Sequence, residues 1–292
     1  MKIAVYGKTF NQGFRPYISE LLDVLEEHQT QLVVYKPFFD FICCETCKEY
    51  KIHKIFTGIE DYDTTCDIMV SIGGDGTFLE SIPFVIRQST PIIGINSGRL
   101  GFLSNIAKEN IRTAFDHILA RHYGFEYRPL IEFTKPRNLF NGMNYALNDI
   151  TIHKIDSTMI TIEASINDEF LNTYWTDGLI ISTPTGSTAY ALSVGGPVVV
   201  PGSGSLVIAP IAPHNLTVRP LVIPESSVIT LKVHSRSGKF LVTADNRTMS
   251  MNNDVICSIS KSDFTLKLLK LPNTSFYSTL RDKLKWGEDV RN

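Results

Sequence analysis

The sequence predicts an α/β N-terminal domain with a parallel sheet, followed by a β-rich, β-sandwich-like C-terminal domain. Three observations carry this reading. Through residue 124, short apolar runs alternate with helix-period stretches, the pattern of a parallel sheet with helices on its faces. After Gly124 the helical period gives way to short β-rich runs separated by Asn, Asp, Gly and Ser. No repeat or low-complexity linker lies between the two textures, so two closely packed domains are expected, 1–124 and 125–274.

The elements follow in order. Residues 2–6 read as a strand, 16–27 as an amphipathic helix and 31–35 as a second strand. Residues 67–72 form a third strand that runs into Gly73-Gly74. A helix is predicted over 77–87, a strand over 91–96 and a helix over 108–123. Residues 125–134, 157–166, 227–234, 239–244, 254–260 and 265–270 are the β-rich runs. The tail, 275–292, carries helix formers over 276–286 and is expected to pack back on the first domain.

A chain of 292 residues buries a substantial core, and 43% hydrophobic with 20% charged residues is ordinary for a globular protein. The formal net charge of -2 argues against a general nucleic-acid or anionic-membrane binder. The apolar run 3–6 is too short for the core of a secretory signal, and a cytoplasmic protein is expected. Residues 178–218 carry no Asp, Glu, Lys or Arg, yet five prolines and six glycines rule out an apolar helix of about 20 residues. That stretch reads as turns and short strands around a buried neutral pocket. Cys43, Cys44, Cys47, Cys66 and Cys257 are odd in number, and the lone Cys44-x-x-Cys47 pair lacks the partners of a zinc set.

Four segments carry chemistry. The first is Gly73-Gly74-Asp75-Gly76-Thr77, where a strand ends in glycines around one carboxylate before a helix. Such glycines let a backbone approach a ligand, and helix N-terminal amides attract phosphate. A tight turn with Asp75 as helix cap is the structural alternative. The dinucleotide fingerprint fails because Leu79 replaces its third glycine, and Gly7-Lys8-Thr9 lacks the first glycine of a Walker loop. The second segment, 94–103, places a further glycine cluster and Arg99, a candidate phosphate contact, after the next strand of the same sheet. The third is Asn148-Asp149, an amide and a carboxylate framed by apolar residues and suited to adenine edges or ribose hydroxyls. The fourth, 176–193, offers Asp177, a run of hydroxyls and Tyr190, whose ring can stack on a base.

Together these segments resemble the NAD kinase family, and the resemblance extends from the glycine loop to the tail at 280–286. Its most specific part is 176–197, since diacylglycerol-kinase-like, sphingosine-kinase-like and phosphofructokinase-like enzymes share the glycine loop. The resemblance implies transfer of the γ-phosphoryl of ATP to the 2′-hydroxyl of the adenosine ribose of NAD, with Asp75 as general base. It implies an NAD site of Asp75, Gly76, Asn148, Asp149, Asp177, Thr188, Ala189, Tyr190, Ala191, Leu192 and Ser193. Gly73, Gly74, Thr77, Arg99 and Arg247 are candidate phosphate or nucleotide contacts. A divalent cation, Mg²⁺, carried with ATP rather than in a protein cage, and a homo-oligomer, dimer or tetramer, are also implied. The sequence departs from the family at Asp149, where Glu is usual. It departs at Trp175, where a basic residue is common, and at Asp245-Asn246-Arg247, where the family has Asp-Gly-Gln. Two other readings share the motifs: a lipid kinase with the same loop, and a non-catalytic NAD(P)-binding sensor.

Overall fold

The structure, a computed structural model, describes residues 1–46, 50–98, 101–272 and 274–287. The chain forms two compact units. One comprises Met1–Tyr127 with Leu266–Asn292, the other Arg128–Thr265.

In the first unit, β1 (Lys2–Gly7), β2 (Gln31–Tyr35), β3 (Lys54–Phe56), β4 (Ile68–Ile72) and β5 (Ile92–Ile95) form a parallel sheet in the order β5–β4–β1–β2–β3. The helices are α1 (Arg15–Glu27), α2 (Lys36–Thr46), α3 (Asp75–Val85) and α4 (Ile111–Leu119). In α1, Pro16 occupies the first turn, where its missing N–H costs nothing. Ile18, Leu21, Leu22 and Leu25 recur at helical spacing and are buried, packing into one core with Ile3, Val5, Ile68 and Val70 of the sheet. Each such side chain contributes roughly 1.5–3 kcal/mol on burial. The predicted 108–123 helix is shorter: a 3₁₀ turn, Lys108–Asn110, leads into α4.

The second unit begins within β6 (Gly124–Lys135) and continues through β7 (Tyr145–Ala146), β8 (Asp149–Lys154), β9 (Ile160–Ile166), β10 (Glu169–Thr176) and β11 (Gly178–Ser182). After the short helix α5 (Tyr190–Ser193) come β12 (Ser205–Ile211), β13 (Leu221–Pro224), β14 (Ile229–His234), β15 (Lys239–Ala244), β16 (Arg247–Asn252) and β17 (Ile256–Lys270). One antiparallel sheet runs β10–β9–β14–β17, the other β13–β12–β11–β8–β15–β16. Alternate residues of both sheets, including Ile160, Ile162, Leu231, Val233, Ile150, Leu179, Phe240 and Val242, share one core, as in a β-sandwich. Within the uncharged stretch 178–218, burial accounts for the strands β11 and β12. Strand β11 is buried on both faces, with Leu179 and Ile181 in the sandwich core and Ile180 packed against Ala191, Val207 and Ala209. A strand covered on both sides tolerates no charge.

The two runs at 254–260 and 265–270 are a single strand, β17. Its last residues belong to the first unit, where Leu268 pairs in parallel with Ile92, so 266–274 group with the first unit rather than with the β-rich part. The tail forms α6 (Phe276–Leu284), also in the first unit. Cys66 and Cys257 are buried, and burial pushes both thiols up to about 12. No helix among the described residues is long and apolar enough to cross a membrane.

Candidate functional site

In the first unit, the glycine loop joins β4 to α3. Gly73 has φ +153°, and a Cβ there would lie 2.5 Å from the Thr77 hydroxyl oxygen, so glycine is required and Thr77 folds back over it. Gly74 and Gly76 are exposed and meet nothing within 4 Å at their missing Cβ positions. The chain's own packing does not demand glycine at either position; they leave open space over the helix N-terminus. Gly74 is the N-cap, and Asp75 is the first helical residue rather than the cap.

The Asp75 carboxylate is held by the loop after β5. Phe102 N–H donates to its Oδ2 at 2.9 Å, while the N–H groups of Leu103 and Ser104 donate to Oδ1, each at 3.0 Å. Lys283 Nζ lies 3.5 Å from Oδ2. Gly101 makes the approach possible, because a Cβ there would stand 2.0 Å from Asp75 Oδ1. The second glycine cluster is therefore tied to the first through one carboxylate. Arg99 lies outside the described residues. Lys8 pairs with Glu80 at 2.7 Å and is a polar loop residue.

In the second unit, Asn148 and Asp149 stand at the start of β8. Their backbone is gripped by Asp245, buried in the turn between β15 and β16. Its carboxylate accepts from the N–H groups of Leu147, Asn148 and Asp149 at 2.9, 2.8 and 3.3 Å. On the other side, Thr183 N–H donates to the Asn148 carbonyl at 2.9 Å. A Cβ on Gly186 would lie 2.1 Å from that same carbonyl oxygen, so the hydroxyl-rich loop packs directly on the Asn148 backbone. Ser187 staples the loop, donating to the Pro184 carbonyl at 2.7 Å and accepting from Val199 N–H at 2.9 Å. Thr188 donates to the Thr185 carbonyl at 3.2 Å. Ala189, Tyr190, Ala191, Leu192 and Ser193 follow directly into α5, with the Tyr190 ring exposed and Ala191 buried. Among the described residues, the Asn148 side-chain amide has no hydrogen-bond partner, although its backbone is held from both sides.

Two candidates fall elsewhere. Asp177 precedes β11, and the pairing of Gly178 with His153 and of Ser182 with Asp149 puts it at the far end of that strand. Five residue steps along the strand, about 16 Å, separate it from Ser182. There Asp177 pairs with Lys154 at 2.7 Å beside a cavity of about 750 Å³ lined also by Trp175, His214, His234 and Arg236. Arg247 is not available to phosphate. Its guanidinium donates to the carbonyls of Met143, Tyr145 and Ala244, and lies over the rings of Phe140 and Tyr145. Asn246 and Arg247 thus serve a structural turn, and the positive charge near Trp175 comes from Lys154 and Arg236.

Asp149 and Asp245 form a buried acidic pair. Burial and then the Asp245 charge push the Asp149 carboxyl up to about 7, with the Thr151 hydroxyl at 3.0 Å opposing. Burial raises Asp245 also, but three N–H donors and Arg247 favour its anion. Asp149, with one hydroxyl donor, therefore holds the proton. Its folded pKa lies above the unfolded value, so the folded protein carries an extra proton between about pH 4 and pH 7 and loses stability as pH rises through that window. Asp149→Asn is expected to stabilise the protein by roughly 1–3 kcal/mol at pH 8 and little at pH 4. Thermal melts at the two pH values measure this, and an equal shift at both would refute it.

Sequence reasoning placed Gly101 in the second glycine cluster and Asp245 in a turn without giving either its partner, and passed over Lys154 and Lys283. The partners of all four lie far away in the chain and left no local signal.

The same two-part division appears in known proteins. The ATP-NAD kinase N-terminal domain model matches residues 20–123, and the ATP-NAD kinase C-terminal domain model matches residues 147–271. An NAD kinase of Flavobacterium johnsoniae is 43% identical over 295 residues, covering 100% of both chains. An NAD kinase of Bacteroides fragilis is 40% identical over 292 residues, again covering 100% of each. Among solved structures, yeast NADH kinase complexed with NADH superposes with a TM-score of 0.84 at 23% identity, covering 100% of this chain and 89% of that one. An Archaeoglobus fulgidus NAD kinase in complex with ATP gives a TM-score of 0.75 at 24% identity, covering 98% and 99%. Full-length identity at this level, with both domain models matched in order, places the chain in the ATP-NAD kinase family.

Proposed function

We infer that this protein is an ATP-dependent NAD kinase that transfers the γ-phosphoryl of ATP to the 2′-hydroxyl of the adenosine ribose of NAD. The observation that carries the site assignment is the rigid presentation of Asn148. Two neighbouring segments fix its backbone, and its amide is left to a ligand. Asn148 takes an adenine edge, Asp149 the ribose hydroxyls, and Tyr190 stacks on a ring, with Thr188–Ser193 lining the dinucleotide. Asp75 accepts the proton of the attacking hydroxyl, and the open space at Gly74 and Gly76 admits the donor phosphates.

No cluster of three or more His, Cys, Asp or Glu residues suited to a metal occurs among the described residues. The four acceptor directions of Asp75 are directed at Phe102, Leu103, Ser104 and Lys283. The divalent cation, Mg²⁺, enters as part of the ATP substrate. A cytoplasmic homo-oligomer completes the reading, and light scattering in solution measures the subunit number.

Turnover of NAD to NADP with ATP is the direct test, with diacylglycerol and inorganic polyphosphate as competing acceptor and donor. Absence of NADP formation by a folded, NAD-binding protein would establish the sensor reading instead. Asn148→Ala is expected to raise the KM for NAD about five- to a hundredfold, since leaving the adenine partner of a neutral hydrogen bond unsatisfied costs about 1–3 kcal/mol. An unchanged NAD dependence would move the adenosine site elsewhere.

A further inference from the structure

We propose that Lys283, on the C-terminal helix, is a positioning residue for Asp75, a role that rests on Asp75 being the catalytic base. The helix is built to deliver it. A capping box between Ser275 and Ser278 sets the start of α6, and Phe276, Leu280 and Lys283 follow at spacings of four and three, on one face. Phe276 packs against the Phe102 ring at 6.3 Å between centroids, and Leu280 is buried. The third position of this inward stripe calls for an apolar residue and holds a lysine instead. Its ammonium lies 4.5 Å from the centroid of the Phe102 ring and 3.5 Å from Asp75 Oδ2, and its side chain is 30% exposed.

A single loop residue connects these contacts. Phe102 supplies the N–H that holds Asp75 Oδ2 and the ring that carries Lys283. The three backbone donors fix the carboxylate plane. Lys283 is its one side-chain donor among the described residues and also its longest contact, aimed at the remaining acceptor direction of Oδ2. The incoming hydroxyl takes that direction in exchange for the ammonium, whose 3.5 Å contact is the longest of the four. Lys283 keeps Oδ2 turned that way before the substrate arrives. The competing explanation is a lysine favourably placed in the last turn of a helix, which would act on stability alone.

The test separates these. Lys283→Met is expected to lower kcat about three- to tenfold with the KM for NAD and for ATP within twofold, and Lys283→Arg to restore most of the loss. In an Asp75→Asn background, Lys283→Met should cause no further loss of kcat, because its effect passes through Asp75. Lys283→Gln guards against a packing defect of the methionine, and melting temperature is recorded for each variant. A kcat unchanged in both Lys283→Met and Lys283→Gln overturns the proposal. An equal loss with and without the Asp75 carboxylate, or a rise confined to the KM for ATP, overturns it too. These outcomes differ from failure of the base assignment, which would show as near-normal turnover in Asp75→Asn alone.

Discussion

Asp75→Asn is expected to reduce turnover about 10²–10⁴-fold, the usual contribution of a general base. The replacement keeps the size of the side chain and removes its ability to take a proton. The geometry sharpens the expectation. The remaining amide oxygen still accepts from the 102–104 loop, but the new NH₂ group faces an N–H donor or the Lys283 ammonium. Two donors meeting head-on cost about 1–3 kcal/mol when one is left unsatisfied. A modest fall in melting temperature should therefore accompany the kinetic loss, while NAD binding through Asn148 and Asp149 persists. Turnover, NAD affinity and melting temperature on the same preparation resolve the contributions. Near-wild-type turnover at neutral pH would reduce Asp75 to a loop anchor. Collapse of NAD binding in step with turnover would make it a binding residue.

Removal of divalent cations is the other large effect expected. A triphosphate brings several negative charges, and among the described residues the cationic candidates for it are already engaged. Lys8 is paired with Glu80, and Lys283 with Asp75. Arg247, the candidate of the second unit, is spent on backbone carbonyls. Neutralising charge carried with the nucleotide is therefore expected. Metal-ion stabilisation of transferring phosphoryl groups is worth several kcal/mol, so chelation should lower turnover by at least about 10³-fold. Returning Mg²⁺ should restore it, and NAD binding measured without ATP should be unaffected. Sustained turnover in chelator, after bound metal has been stripped, would sink the expectation.

The elements legible in the sequence are those whose signal is local. The apolar spacing of α1, the strands β1, β2 and β4, and the glycine loop after β4 each announce themselves within a dozen residues. Helix α2 went unread because its run of Phe, Ile and Cys has neither a cap nor a clear polar face. Strands β8 and β11 lack the alternation of a half-buried strand, since much of each lies under cover on both sides.

The candidate site divides along the same line. Residue types in short motifs determined where Asp75, Asn148, Asp149 and Tyr190 stand, and with them the chemistry of an alcohol-directed phosphoryl transfer. Only the tertiary structure decided what holds those groups. Asp75 meets its loop 27 to 29 residues away and Lys283 208 residues away, and Asp245 reaches the Asn148 backbone across 97. It also removed Arg247 from the phosphate contacts and set Asp177 at the opposite end of β11 from Asp149. A motif records which donors and acceptors lie side by side along the chain. Which of them are spent on the protein's own backbone depends on contacts between distant segments, and those exist only once the core has formed.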